Sequence, residues 1–318
     1  MAQAPTVEID AQYRQLREEC GLVEWPDRGL LIVGGAEAAD YLQGQLTNDV
    51  EAIGPGEGAY AALLDRKGHM QADMRVLRPG EGPELWLDLE AAGLAAASRH
   101  LQMYKIGREV EVTDASGEHA LLSLVGPRAA EIAGGAPLPE HACETLTVGG
   151  AECLAIGSAE GIDLIVPAAE RERAREALLA AGAVEASPEA AEILRIEAGR
   201  PRFGAEMGTA TMPAEAGIVE QAVSFTKGCY IGQETVARLH YKGKPNRHLR
   251  GLRFSAPAAP GLALRLGEKE VGTVGSAAVS PAFGAVGLAI LRREAEPGAT
   301  VAVGEDGVTA EVVALPFG

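Results

Sequence analysis

Cys229 lies in KGCYIGQETVARLHYKG, residues 227–243, between a lysine-glycine pair and a helix predicted to open at Ile231. A thiol just ahead of a helix N-terminus meets free backbone N–H groups and the positive end of the helix dipole, and both favour the thiolate. Lys227 acts in the same direction, and Gly228 and Gly232 permit tight backbone bends beside the sulfur. His240 stands eleven residues further along, roughly 16 Å away on a continuous helix, too far for a local Cys–His nucleophile pair. His69, His100 and His119 could approach only through the fold. An exposed thiolate suits redox chemistry, transient metal or cluster contact, or polarisation of a bound ligand; the alternative is a thiol packed in a turn. Cys20, Cys143 and Cys153 are scattered, with no CxxC pair and no Cys/His cluster at ligand spacing, so they read as small buried hydrophobes and no metal centre is expected.

Charge gives a second chemical signal. From Thr235 to Gly267 there is no Asp or Glu, whereas Arg238, Lys242, Lys244, Arg247, Arg250, Arg253 and Arg265 fall there, in a chain of formal net charge -17. Such a stretch beside Lys227, at a domain junction, points to a positive surface for an anionic ligand; a solvated linker edge is the bland alternative. The chain-wide excess of acid excludes general nucleic-acid binding, which relies on clustered Lys and Arg. The longest apolar runs, Ala120 to Val125 and Gly284 to Leu291, fall well short of the roughly 20 residues of a membrane helix. The leading MAQAPTVEID has neither the basic start nor the apolar core of a secretory signal, so a cytoplasmic protein without membrane contact is expected.

Elements must hold these groups in place, and 318 residues allow about two or three domains. A polar helix around Ile9 to Cys20 precedes the strand GLLIVGG and a helix from Ala36 to Leu46. AYAALLD, HMQADMRVL and ELWLDLE then form a β-meander around the turn Arg66-Lys67-Gly68, followed by an Ala-rich helix from Glu90 to Tyr104. EVEVTD alternates as a strand, and HALLSLV is a buried strand followed by Gly126-Pro127, which suits the first turn of a helix; a second unit then contains AECLAIG and IDLIVP as strands and a helix over 168–181 stopped by Gly182. Ser187-Pro188-Glu189 combines an N-cap hydroxyl, proline at the first helical position and an acid at the positive helix end; the helix it starts carries Arg195 and Glu197. Beyond Arg250, short apolar runs separated by Gly- and Pro-containing turns predict a small C-terminal β-barrel.

KGCYIGQE, with Ala237-Arg238 downstream, resembles the signature of the YgfZ family, folate-binding proteins related to the glycine-cleavage T-protein, an aminomethyltransferase. Nearly the whole chain shares the resemblance: GLVEWPDRGLLIVGGAEAADYLQGQLTNDV, AYAALLDRKGHMQADMRVLR, LLSLVGPRAAEI and LRIEAGRPRFGAE look like successive family segments. LTNDV and LRIEAG are common to both branches. The resemblance implies an α+β chain of three domains in a cloverleaf, two mixed α/β units plus a C-terminal β-barrel around a central folate cleft. Residues 1–245 would hold the two intertwined units, the second at roughly 120–190, and residues 246–318 the barrel.

By the same resemblance, tetrahydrofolate is the bound small molecule. T-proteins carry paired aspartates after two glycines; here the matching positions are Ala72 and Asp73, and alignment assigns the lost one as the carboxylate credited with catalysis. Asp163 and Arg195 match the T-protein residues that read the pterin, a carboxylate accepting two N–H groups and a guanidinium forking onto oxygen; Asn48 and Gln45 would line the same pocket. Cys229 marks the YgfZ branch, which is linked to assembly or repair of iron–sulfur enzymes, and one relevant thiol cannot hold a four-cysteine cluster. The expectation is a folate-binding accessory protein with Cys229 and Asp73 at the reacting centre, iron–sulfur client enzymes or assembly factors as partners, and Lys227 and Arg238 on the folate. The alternatives are an aminomethyltransferase using Asp73 and, on the same scaffold, a folate-dependent demethylase or formyl-transfer enzyme.

Overall fold

A computed structural model describes residues 7–318; the leading MAQAPT, part of the segment read for a secretory signal, lies outside the described residues. The chain opens with α1 (Val7–Glu18), β1 (Gly21–Trp25), β2 (Arg28–Gly34) and α2 (Ala38–Gln45). The meander β3 (Glu57–Leu64), β4 (Met70–Arg78) and β5 (Leu85–Glu90) leads to α3 (Ala91–Tyr104) and β6 (Glu111–Asp114). Next come β7 (His119–Val125), α4 (Ala129–Ala133), β8 (Cys143–Val148), β9 (Ala151–Gly157), β10 (Gly161–Pro167), α5 (Arg171–Ala180), β11 (Val184–Glu185) and α6 (Pro188–Glu197). Three short helices, α7 (Pro213–Ala216), α8 (Val219–Ala222) and α9 (Gln233–Lys242), precede β12 (Arg247–Phe254), β13 (Ala263–Leu266), β14 (Lys269–Thr273), β15 (Ser276–Ser280), β16 (Gly284–Arg292), β17 (Thr300–Val303) and β18 (Val308–Val313).

These strands make three sheets. The first runs β3-β4-β5-β2-β6 and the second β11-β1-β7-β10-β9-β8, so consecutive strands β1 and β2 part company at once and the two mixed units interleave in sequence. Each sheet buries its own apolar cluster: Leu31, Leu42, Leu63 and Leu87 in the first, Leu122, Leu164 and Leu178 in the second. The helix start read at Ser187 is present, with its hydroxyl accepting from the Ala190 N–H at 3.3 Å.

The third sheet, β14-β13-β17-β18-β12-β16-β15, corrects the expected barrel: among the described residues it is an open half-barrel, with β14 pairing only β13 and β15 pairing only β16. One edge, β14, carries exposed Lys269 and Glu270, and such charges discourage further pairing. The other edge strand is held by α6 instead of by a strand. Arg195 donates to the Ser276 hydroxyl at 2.5 Å, and the Ser280 hydroxyl donates to Glu197 at 2.5 Å.

Candidate active site

A cleft of about 290 Å³ opens between the first two sheets, walled by β1–β5, β7, β10, α6 and the segments around residues 140 and 200. Its floor is a chain of charged side chains that the strand pleat places on one face. Arg75 and Asp88 are register partners on β4 and β5, as are Arg28 and Glu90 on β2 and β5. Arg28 grips Asp88 through two bonds, at 3.1 and 2.6 Å, and also pairs with Glu90. Arg75 bonds Asp88 at 2.7 Å and reaches across to the second sheet, where it meets Asp163 at 2.5 Å. The other oxygen of Asp163 accepts from the Ser123 hydroxyl at 2.5 Å, and that hydroxyl accepts from the Trp25 indole N–H at 2.8 Å. Burial alone would raise the Asp88 carboxyl, but the two guanidiniums outweigh it and hold it at about 2. The network therefore ties the two sheets together with charges that compensate one another.

Asp73 stands apart from this compensation. It is buried, lines the cleft, and accepts a 2.5 Å bond from the Tyr60 hydroxyl on Oδ2, while Oδ1 is buried with no partner. Burial pushes its carboxyl up to about 6, with Glu90 adding to the rise and the Tyr60 bond and Arg28 opposing it. A carboxylate that exchanges protons near neutrality at the wall of a cleft is suited to general acid–base work. Among the described residues lining the cleft, one other buried side-chain atom lacks a partner, His141 Nδ1.

The pleat also decides between positions 72 and 73. Asp73 faces the cleft with Arg75, whereas Ala72 is fully buried on the opposite face in the core of the first sheet. There α3 crosses so closely that a Cβ on Gly93 would lie 2.8 Å from the Ala72 Cβ. Position 72 has no room for a carboxylate and no view of the cleft. Of the two aligned positions, the cleft-facing one is the one that keeps its aspartate.

Of the other residues singled out in the sequence, Asp163 and Arg195 line the cleft, but both are committed. The oxygens of Asp163 hold Arg75 and Ser123; Arg195 holds Glu192 at 2.8 and 2.7 Å, Glu206 at 3.0 Å, Ser276 and the Arg200 carbonyl. Asn48 does not line the cleft; its amide donates to the Tyr60 and Gln221 carbonyls at 2.8 and 3.0 Å and so supports the wall. Gln45 lies outside it, bonded to His100 at 2.9 Å.

The KGCYIGQE segment goes elsewhere. Lys227 is buried, and its ammonium donates to the carbonyls of Gln43, Leu46 and Asn48 at 2.6, 2.8 and 2.7 Å, capping the end of α2. Gly232, at φ 86, fits beneath the Asp65 carbonyl, where a Cβ would be 2.6 Å away. The helix starts at Gln233 rather than Ile231, so Cys229 is exposed four residues ahead of it, with its side chain outside the cleft. None of the seven cations of the acid-free stretch lines the cleft either; Arg247 pairs with Glu215 at 2.9 Å and Arg253 bonds the Gly318 carbonyl. The cleft's cations are instead Arg28, Arg75, Arg195, Arg200 and Arg202. Among the described residues the third sheet supplies no lining residue, but its Ser276 bonds one, Arg195.

Sequence reasoning missed Tyr60, Arg28, Arg75, Asp88 and His141. A signal for three of them was present: Arg75 and Asp88 interrupt apolar strands on one side of the pleat, and Arg28 opens a third.

A family model described as the GCVT N-terminal domain matches residues 3–227 of this chain. The chain belongs to that family. Two similar proteins are the aminomethyltransferase of Rubrobacter xylanophilus (strain DSM 9941), 30% identical over 97% of this chain and 86% of that protein, and the aminomethyltransferase of Listeria monocytogenes serotype 4a (strain HCC23), 29% identical over 97% and 89%. Among solved structures, glycine cleavage system aminomethyltransferase T from Bartonella henselae superposes with a TM-score of 0.86 over 98% of this chain and 89% of that one, at 23% identity. The GCVT-family chain described here therefore shares the mixed α/β fold of that T-protein, including its extent.

Proposed function

We propose that this chain transfers a one-carbon unit from an aminomethylated carrier to tetrahydrofolate bound in the cleft between the first two sheets. The observation that carries this reading is Asp73: a buried carboxylate on the cleft wall, braced by Tyr60, with one oxygen unpartnered. Similarity to proteins named aminomethyltransferase, 30% and 29% identical over 97% of this chain, supports it. The residues fit such a ligand, because Asp73 Oδ1 and His141 Nδ1 are buried polar atoms that a heterocycle rich in N–H groups would satisfy.

When bound, the folate supplies two nitrogens to take the carbon, and their two protons end on the departing amine and on the carrier atom that held the carbon. Ionised at neutral pH, Asp73 holds the protonated amine and accepts a proton at Oδ1, while Tyr60 fixes the carboxylate through Oδ2. Arg28 and Arg75, neutralised by Asp88, Glu90 and Asp163, hold the floor rigid. The reaction would take place in the cytoplasm with the carrier protein as partner. Incubating the chain with an aminomethylated carrier and tetrahydrofolate should release ammonia and form methylene-tetrahydrofolate; a preparation that binds folate but yields neither product overturns the transfer.

A second reading has one observation in its favour. The exposed thiol of Cys229 is accessible, as a residue presented to a protein partner has to be, and it belongs to the segment that resembles the YgfZ branch. There the chain would bind tetrahydrofolate as an accessory to iron–sulfur enzymes or their assembly factors. Unchanged cluster-enzyme activity in cells carrying Cys229→Ala removes this reading; loss of that activity with intact folate binding supports it.

A further inference from the structure

His141 is the one described residue other than glycine with a positive φ, +69. Backbone in that region disfavours side chains, although His is enriched there relative to most residues, and such strain persists where the surroundings over-determine it. Here they do. The His141 N–H donates to the Gly157 carbonyl at 2.9 Å, and a Cβ on Gly58 would lie 2.5 Å from the His141 carbonyl oxygen. The segment thus bridges the starting end of β3 and the final residue of β9, and it projects an imidazole into the cleft where a glycine would adopt the backbone without steric penalty.

The ring lies against the acid–base pair already described. It stacks on Tyr60, with centroids 6.2 Å apart and planes inclined by 22°, and Tyr60 in turn donates to Asp73. Nδ1 is buried with no partner. We propose that His141 contacts the substrate directly, its Nδ1 hydrogen-bonding the bound folate beside the group held by Asp73 Oδ1; this rests on the folate reading of the cleft. Burial, together with Arg75 and Arg200, lowers the ring's proton affinity against the opposing pull of Glu140 and Asp163, which keeps the imidazole neutral. A neutral ring can present either a lone pair or an N–H at Nδ1, so the ligand selects the tautomer.

The test uses the full chain and two variants, His141→Gly and His141→Asn, with calorimetric titration of tetrahydrofolate and thermal unfolding. His141→Gly should unfold at the same temperature as wild type or higher, since glycine adopts this φ freely, while its Kd for tetrahydrofolate weakens at least tenfold. His141→Asn, which also tolerates the left-handed conformation but is shorter, should show the same loss and covers the case in which the glycine variant does not fold. Kd values within twofold of wild type in a folded variant overturn the proposal and leave the function reading standing. A lowered unfolding midpoint with unchanged Kd assigns His141 to packing and overturns it too. A wild-type chain that takes up no tetrahydrofolate overturns both readings.

Discussion

Replacing Asp73 by asparagine should make the protein more stable and less active. Burial raises this carboxyl from its ordinary 3.8 to about 6, and at about 1.4 kcal/mol per unit the ionised form costs the fold about 3 kcal/mol. The folded chain binds the proton more tightly than the unfolded one, so stability falls as pH rises from about 4 to about 6 and stays low above that. The substituted amide would carry no charge at any of these pH values and would still accept the Tyr60 hydroxyl bond, although its own unpaired N–H takes back about 1 kcal/mol. Urea unfolding at pH 7.5 should therefore show Asp73→Asn more stable by about 2 kcal/mol, and the advantage should shrink by about 1 kcal/mol at pH 5. Turnover should drop by about 10²–10⁴-fold, the range for a lost general acid–base group. A variant that is less stable at pH 7.5, or whose advantage is the same at both pH values, refutes the buried, uncompensated carboxylate. Full turnover refutes its role in the chemistry.

Three other substitutions probe the surrounding architecture. Ala72→Asp places a charge against Gly93 in the core of the first sheet and should destabilise by about 3 kcal/mol or more in denaturant unfolding, with no gain in turnover; a stable, more active variant would show that the functional face had been misassigned. Arg75→Met leaves buried Asp88 and Asp163 without their shared partner and should cost about 3–5 kcal/mol by the same measurement. In the wild type, the stability that Asp88 draws from Arg28 and Arg75 is present above its ordinary pKa of 3.8 and is lost as pH falls towards about 2, so Arg75→Met should flatten the acid limb of the unfolding curve. Cys229→Ala, at an exposed position outside the cleft, should leave stability within about 0.5 kcal/mol and tetrahydrofolate affinity unchanged; a tenfold weaker Kd would place the thiol at the site after all.

Local chemistry made parts of the fold legible. Ser187-Pro188-Glu189 marked the start of α6 because capping is decided within one helical turn, and the meander of β3, β4 and β5 followed from its turns and apolar runs. What depended on distant partners was not legible. GLVEW, beside the stronger GLLIVGG, carries no local mark of a separate strand, yet it pairs with β7 about a hundred residues away and with β11 further still. The same limit applies to barrel closure, because short strands and turns do not say whether the outermost two strands meet. Within the site, alternation along HMQADMRVL separates Ala72 from Asp73 but does not say which faces the cleft; α3 packs on the alanine side and leaves Asp73 to the cleft. His141 belongs to a loop with no periodicity, and its conformation is imposed by two distant glycines. KGCYIGQE is unusual in sequence but does not line the cleft, and a buried ammonium capping three carbonyls and a glycine under a turn explain much of it.

The most direct measurement is a crystal structure of the chain with tetrahydrofolate bound. The account predicts the pterin between the first two sheets, a ring nitrogen within hydrogen-bond distance of Asp73 Oδ1, and no folate atom in contact with Cys229. Folate lying against Cys229 and Arg238, with the cleft beside Asp73 holding only water, would contradict it.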